Sequence, residues 1–96
     1  MSDFELQDHG EGRFSLKGHM SFDTANLILK ASEAVFAKHA ILQVDMSGVE
    51  KADSAGLALL LEWKALAADR GARIDYTDVP DSLVAIARTS EVSDLL

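Results

Sequence analysis

Residues 51–63, KADSAGLALLLEW, constrain the fold more than any other stretch of the 96-residue chain. The segment begins with polar residues and then becomes apolar on almost every side of a helix. Asp53 is a favoured N-cap residue, and Gly71 suits the position just beyond a helix C-terminus, so we predict a helix over about 54–70. A helix with this much apolar surface must be covered on more than one side.

Two rows of apolar or small residues follow this predicted helix. The first row has the spacing of a stripe that covers a sheet and comprises Gly56, Leu59, Leu60, Trp63, Leu66 and Ala67. The second row comprises Ser54, Leu57, Ala58, Leu61, Ala65 and Ala68. The second row either packs against a neighbouring helix or forms a docking strip for another protein, and we expect its residues nearest Ser54 to be the most exposed. Glu62 and Asp69 are expected to face water.

The rest of the chain predicts strands that alternate with helices. The chain begins with a predicted hairpin, with strands around residues 4–6 and 14–16, and a helix follows from Asp23 or Thr24 to about His39, with Leu27 and Ile28 on its apolar face. Next come a strand over 41–46, closed by Ser47 and Gly48, and the helix over 54–70. The last predicted elements are a strand over 73–77, a helix opened by Pro80 or Asp81, and one helical turn in the tail.

This order, β-β-α-β-α-β-α, predicts one α/β domain over residues 1–96. Strands that are joined through helices favour parallel pairing and right-handed crossovers. We therefore expect a small sandwich: a mixed sheet of four or slightly more strands, mainly parallel after its first strand, with the helices mostly on one face.

Composition and charge narrow the classes of partner. The chain has no cysteine, which removes disulfides, thiolate nucleophiles and cysteine metal sites. Its formal net charge of −7, with nine scattered basic residues, argues against nucleic acid and anionic membrane surfaces and favours a basic protein surface. The longest apolar run, 55–61, is far shorter than the ~18 residues that span a bilayer, and the acidic N-terminus does not resemble a signal peptide. We expect a cytoplasmic protein without direct membrane insertion.

The sequence offers no set of residues that predicts catalysis. Ser54 follows Asp53, but no histidine can be placed beside it, and the three histidines lack the spacing of metal ligands. Asp45 and Asp53 could meet at one edge of the sheet, where solvated carboxylates are a simpler interpretation than an acid–base pair. We therefore predict a protein that is not an enzyme and needs no metal or cofactor.

The stretch 44–61, VDMSGVEKADSAGLALLL, resembles a STAS domain, the fold of bacterial anti-sigma factor antagonists. In those antagonists, the residue before the glycine of this turn is phosphorylated by a partner kinase. The corresponding residue here is Ala55, which has no hydroxyl. Ser54 lies one position earlier, where it either helps to cap the helix or is itself the candidate phosphorylation site.

Within this family, the run GLALLL over 56–61 is most similar to the small STAS subunits of the Mla system, the ABC transporter that moves phospholipids between the Gram-negative membranes. The resemblance implies a subunit held at the inner membrane by binding the transporter's cytoplasmic ATPase, which itself associates with a membrane permease. The contact residues that it implies are Asp53, Ser54, Ala55, Gly56, Leu57 and Leu61. The alternatives are an anti-sigma factor antagonist, whose partners would be a serine kinase and an anti-sigma factor, and a scaffold subunit of a stress-signalling assembly.

Overall fold

The computed structural model describes residues 3–96 and confirms the predicted order of elements. The elements are β1 (Phe4–Asp8), β2 (Arg13–Met20), α1 (Ala25–Phe36), β3 (Ile41–Ala52), α2 (Ser54–Asp69), β4 (Arg73–Thr77), α3 (Asp81–Thr89) and a 3₁₀ turn (Ser93–Leu95).

The four strands form one mixed sheet in the order β1-β2-β3-β4. β1 and β2 pair antiparallel, with Leu6 opposite Leu16, while β2 pairs parallel with β3 and β3 parallel with β4. In the hairpin turn Gly12 has a φ of +81°, and a Cβ atom there would lie 2.2 Å from the Ile41 carbonyl oxygen. Only glycine fits this turn, because both the backbone conformation and the close approach exclude a side chain.

β3 is longer than the sequence predicts. The expected strand over 41–46 does not end at Ser47 and Gly48 but continues to Ala52. The second half of β3 pairs with the end of β2, where Met20 lies opposite Ala52, and the register shifts twice between the two strands. The prediction of the strand end was wrong because β2 supplies hydrogen-bonding partners for the backbone beyond Ser47 and Gly48. The chain therefore does not turn there.

The predicted boundaries of α2 and the predicted start of α3 are confirmed. Asp53 is the N-cap of α2, and Gly71, just past its C-terminus, has a φ of +71°. Pro80 precedes α3, which begins at Asp81. α1 instead ends at Phe36, three residues before the predicted His39.

The arginine that directly follows α2 satisfies the end of α1. Arg70 Nη2 donates hydrogen bonds of 2.8 Å to the carbonyl oxygens of Phe36 and His39. A helix C-terminus leaves carbonyl groups without partners inside the helix, and a basic side chain from a neighbouring helix can satisfy them.

The core lies between the helices and one face of the sheet. α2 is central to it, contacting α1, α3, β3 and β4, and it buries Leu60 and Trp63 almost completely. The Trp63 ring lies 5.1 Å from Phe36, which in turn lies 4.8 Å from Phe14, measured between ring centroids. The Trp63 indole N–H donates to Ser32 Oγ at 2.9 Å, so a polar pair in the core is satisfied.

Two leucines predicted to be buried lie at the surface. Leu27 in α1 is 56% exposed, and Leu66 in the first row of α2 is 43% exposed. In α1 the buried positions lie four residues apart and are Ile28, Ser32 and Phe36. Ser32, a polar residue on this core face, is paired with Trp63, and Leu27 lies outside the buried stripe.

Candidate partner-binding site at the start of α2

Asp53 joins the start of α2 to the loop between β2 and α1. Its Oδ1 accepts a hydrogen bond of 2.9 Å from the Ala55 N–H, which caps the helix. Its Oδ2 accepts a hydrogen bond of 3.1 Å from the Phe22 N–H, and its own N–H donates to the Met20 carbonyl at 3.2 Å. One residue therefore fixes two loops that are distant in sequence.

The β2–α1 loop is also held from within. Thr24 is 2% exposed, and its Oγ1 accepts from the Ser21 N–H at 2.9 Å and donates to the His19 carbonyl at 2.8 Å. The loop carries Phe22, whose side chain is 84% exposed. Phe22 was not among the predicted site residues, although an aromatic residue among the polar residues of a strand-to-helix turn was a visible signal.

The exposed part of the site begins with Ser54. As the first residue of α2, Ser54 is exposed, and Ala55 after it is half-buried. The hydroxyl of Ser54 lies at the positive end of the helix dipole, where added negative charge is stabilised. The turn therefore presents one small hydroxyl and one methyl group to any partner.

The next two residues are buried. Gly56 lies so close to β2 that an added Cβ atom would be 2.6 Å from the Met20 carbonyl oxygen, and Leu57 is 6% exposed. The sequence placed Leu57 in the second row as a docking candidate, but in the folded domain its side chain belongs to the core. A contribution of Gly56 or Leu57 to binding would therefore be indirect, through the shape of the turn.

The remaining members of the second row vary in exposure. Ala58, Ala65 and Ala68 are exposed, whereas Leu61 is half-buried and packs against the core. Of the residues implied as contacts, Asp53, Ser54, Ala55 and Leu61 retain accessible surface. They form a small, largely uncharged surface around the start of α2, with the Asp53 carboxylate at its edge.

The residues weighed for catalysis do not converge on Ser54. His9 Nε2 lies 2.8 Å from Ser15 Oγ on the polar face of the sheet, the face away from the helices. Asp45 lies within β3 and accepts hydrogen bonds from Ser47, so it does not share the strand edge with Asp53. Within residues 3–96, no group of three or more histidine, aspartate or glutamate residues is arranged to hold a metal ion.

None of the helices formed by residues 3–96 combines the length and the apolar character needed to cross a membrane.

Comparison with known proteins decides the family. The family model described as "Mlab, STAS domain" matches residues 4–96. The chain belongs to the MlaB-type STAS domain family. STAS domains are typically non-catalytic and act through protein–protein interaction. No curated protein sequence matches this STAS domain.

Solved structures support the same fold. The structure of the anti-sigma factor antagonist SpoIIAA in its unphosphorylated form matches this STAS domain with a TM-score of 0.72 and 16% identity, over 96% of this chain and 84% of that chain. A crystal structure described as Mglu matches with a TM-score of 0.61 and 20% identity, over 80% of this chain. The match covers 19% of the Mglu chain, so this STAS domain spans only a small part of that protein. At these identities the likeness concerns the fold alone.

Proposed function

We propose that this STAS domain is a non-catalytic subunit that binds the cytoplasmic ATPase of an Mla-type phospholipid-transport ABC transporter. The binding surface is the turn formed by residues 53–57 (the DSAGL turn) and the first turns of α2, with Asp53, Ser54, Ala55 and Leu61 in direct contact. Gly56 and Leu57 support that surface from below. In this assembly the domain is cytoplasmic and is held at the inner membrane by its partner.

The observation that carries the proposal is the local chemistry of the turn in a chain of the MlaB-type family. The position that is phosphorylated in anti-sigma factor antagonists is Ala55, which cannot accept a phosphate. Around it, the small side chains of Ser54 and Ala58 let a partner backbone approach closely, and the Asp53 hydrogen bonds hold the turn in one conformation. A constitutive contact suits this surface better than a phosphorylation switch.

The test is a binding measurement between the purified domain and the Mla-type ATPase–permease complex of the same bacterium. Ser54→Arg should weaken binding by at least ~100-fold, because it places a long charged side chain in a contact built from small groups. Each tenfold loss of affinity corresponds to about 1.4 kcal/mol of binding free energy. Ser90→Arg is the matched control. Ser90 is an exposed serine at the C-terminal end of α3, and this variant should bind like the wild type. Urea unfolding midpoints equal to that of the wild-type domain would establish that both variants are folded.

Unchanged affinity of the folded Ser54→Arg variant would place the binding surface elsewhere. Absence of any binding by the wild-type domain would refute the transport assignment.

A second function is favoured by the exposure of Ser54. An exposed hydroxyl in the first turn of α2 is accessible to a serine kinase, as an anti-sigma factor antagonist requires. Affinity purification from the native host distinguishes the two functions. Recovery of an ABC ATPase with its permease supports transport, whereas recovery of a serine kinase with phosphate on Ser54 supports the antagonist.

A further inference from the structure

Phe22 is the most exposed large apolar side chain among residues 3–96, at 84%. Exposed aromatic side chains are costly in water and are enriched at the centres of protein interfaces. Isolated surface leucines need no such explanation, but Phe22 differs from them because its backbone is anchored to the candidate site itself.

The loop holds the backbone of Phe22 in a fixed position. The Phe22 N–H donates to Asp53 Oδ2 at 3.1 Å, and the buried Thr24 hydroxyl accepts from the Ser21 N–H and donates to the His19 carbonyl within the same loop. Binding through Phe22 therefore orders little backbone, which lowers the entropic cost of association.

A groove begins at Phe22 and runs between α1 and α2, with a volume of about 430 Å³. Its walls are mainly small or apolar and include Ala25 and Leu29 from α1 and Ala55, Ala58 and Leu59 from α2. Among the described residues that line it, Glu62 carries the only charge. Glu62 lies seven residues beyond Ala55 on α2, which corresponds to about 10 Å along the helix axis.

Acidic groups lie beside the groove at its Phe22 end. Asp23, next to Phe22, is exposed, and the Asp53 carboxylate bonds to the Phe22 backbone. With Glu62 in the wall, the apolar groove has negative charge at both ends. Its walls are two helices, whose backbone groups are largely paired internally, so they offer no strand edge for β-sheet addition.

We infer that this groove receives an amphipathic helix of the partner. The helix would place an apolar side chain against Phe22 and a lysine or arginine near Glu62, two to three turns further along. This inference rests on the function proposed above, and it extends the contact surface from the DSAGL turn across to α1. Phe22 is then the anchor residue of the interface.

The test compares matched variants against the Mla-type ATPase complex. Phe22→Ser should weaken binding by ~30-fold or more, as expected when an interface anchor is removed. Leu27→Ser, at an exposed leucine of α1 outside the groove, should bind like the wild type. Glu62→Lys should weaken binding ~10-fold and reduce its dependence on salt, whereas Asp69→Lys on the same helix should do neither.

The two proposals fail in different ways. If Ser54→Arg abolishes binding but Phe22→Ser behaves like Leu27→Ser, the function stands and the groove is not used. If the wild-type domain does not bind the ATPase, both proposals fall. Hydrogen exchange of the ATPase identifies the occupant: protection of a basic helical segment that is lost with Phe22→Ser supports the inference, and protection confined to loops or strands overturns it.

Discussion

The carboxylate of Asp53 provides the sharpest test of how the candidate site is built. Replacing Asp53 with alanine removes both acceptors, so the N–H groups of Ala55 and Phe22 lose their side-chain partner together. Asp53→Asn keeps one carbonyl oxygen and can retain only one of the two bonds. We expect the loss of stability to rise from the asparagine variant to the alanine variant.

The magnitude follows from the two hydrogen bonds. Removing an N-cap costs ~1 kcal/mol, and the second bond, which is exposed to solvent, adds about 1 kcal/mol. Asp53→Ala should therefore lower the free energy of unfolding by about 2 kcal/mol, and Asp53→Asn by about 1 kcal/mol. Asp69→Ala is the matched control at the other end of α2, where removing an acid should be neutral or slightly stabilising because of the helix dipole.

Urea unfolding followed by the fluorescence of Trp63, the single tryptophan, measures these differences. With an m-value of ~1–2 kcal/mol/M, a loss of about 2 kcal/mol lowers the midpoint by about 1–2 M. The Phe22 amide should also exchange faster with solvent in Asp53→Ala. A midpoint equal to that of Asp69→Ala, with an unchanged exchange rate at Phe22, would refute the idea that Asp53 links the two loops.

Two further predictions concern the core and the response to pH. Leu60→Ala, at a fully buried position, should lower the free energy of unfolding in urea by ~2–5 kcal/mol, whereas Leu66→Ala on the same helix should lower it by less than ~1 kcal/mol. Equal losses would contradict the assignment of Leu66 to the surface. Burial raises the pKa of Tyr76, the single tyrosine, whose hydroxyl donates to the Leu60 carbonyl. Because an unfolded tyrosine ionises near pH ~10 and the folded one only at higher pH, stability should fall as pH rises above ~10. The tyrosinate absorbance of the folded domain should stay low in that range, and Tyr76→Phe should flatten the decline; early ionisation in the folded state would contradict the burial.

The order of elements was predictable because strong local signals mark both ends of α2 and the start of α3. Asp53, Gly71 and Pro80 each fix a backbone position by their own chemistry, whatever the rest of the chain does. The end of β3 was not predictable in this way. Its length depends on the far end of β2, and pairing between distant segments leaves no trace in the local sequence.

Which residues of α2 are buried could be predicted only in part from the sequence. The spacing of apolar residues on α2 identified two rows, yet periodicity alone cannot decide whether Leu57 or Leu66 faces the core when both are leucine. The outcome depends on which neighbouring elements cover each side. The aromatic residue at position 22 was visible in the sequence, but its backbone hydrogen bond to Asp53, 31 residues away, was not.

The close approach at Gly56 has a kinetic consequence. Because an added Cβ atom there would meet the backbone of β2, the start of α2 is seated directly on the sheet and cannot shift without moving a core strand. If a partner binds here as proposed, it meets a turn that is already fixed in one conformation, and association should need little rearrangement of this domain. Substitutions at the contact that leave charge unchanged should act mainly by shortening the lifetime of the complex, with little change in the rate at which it forms.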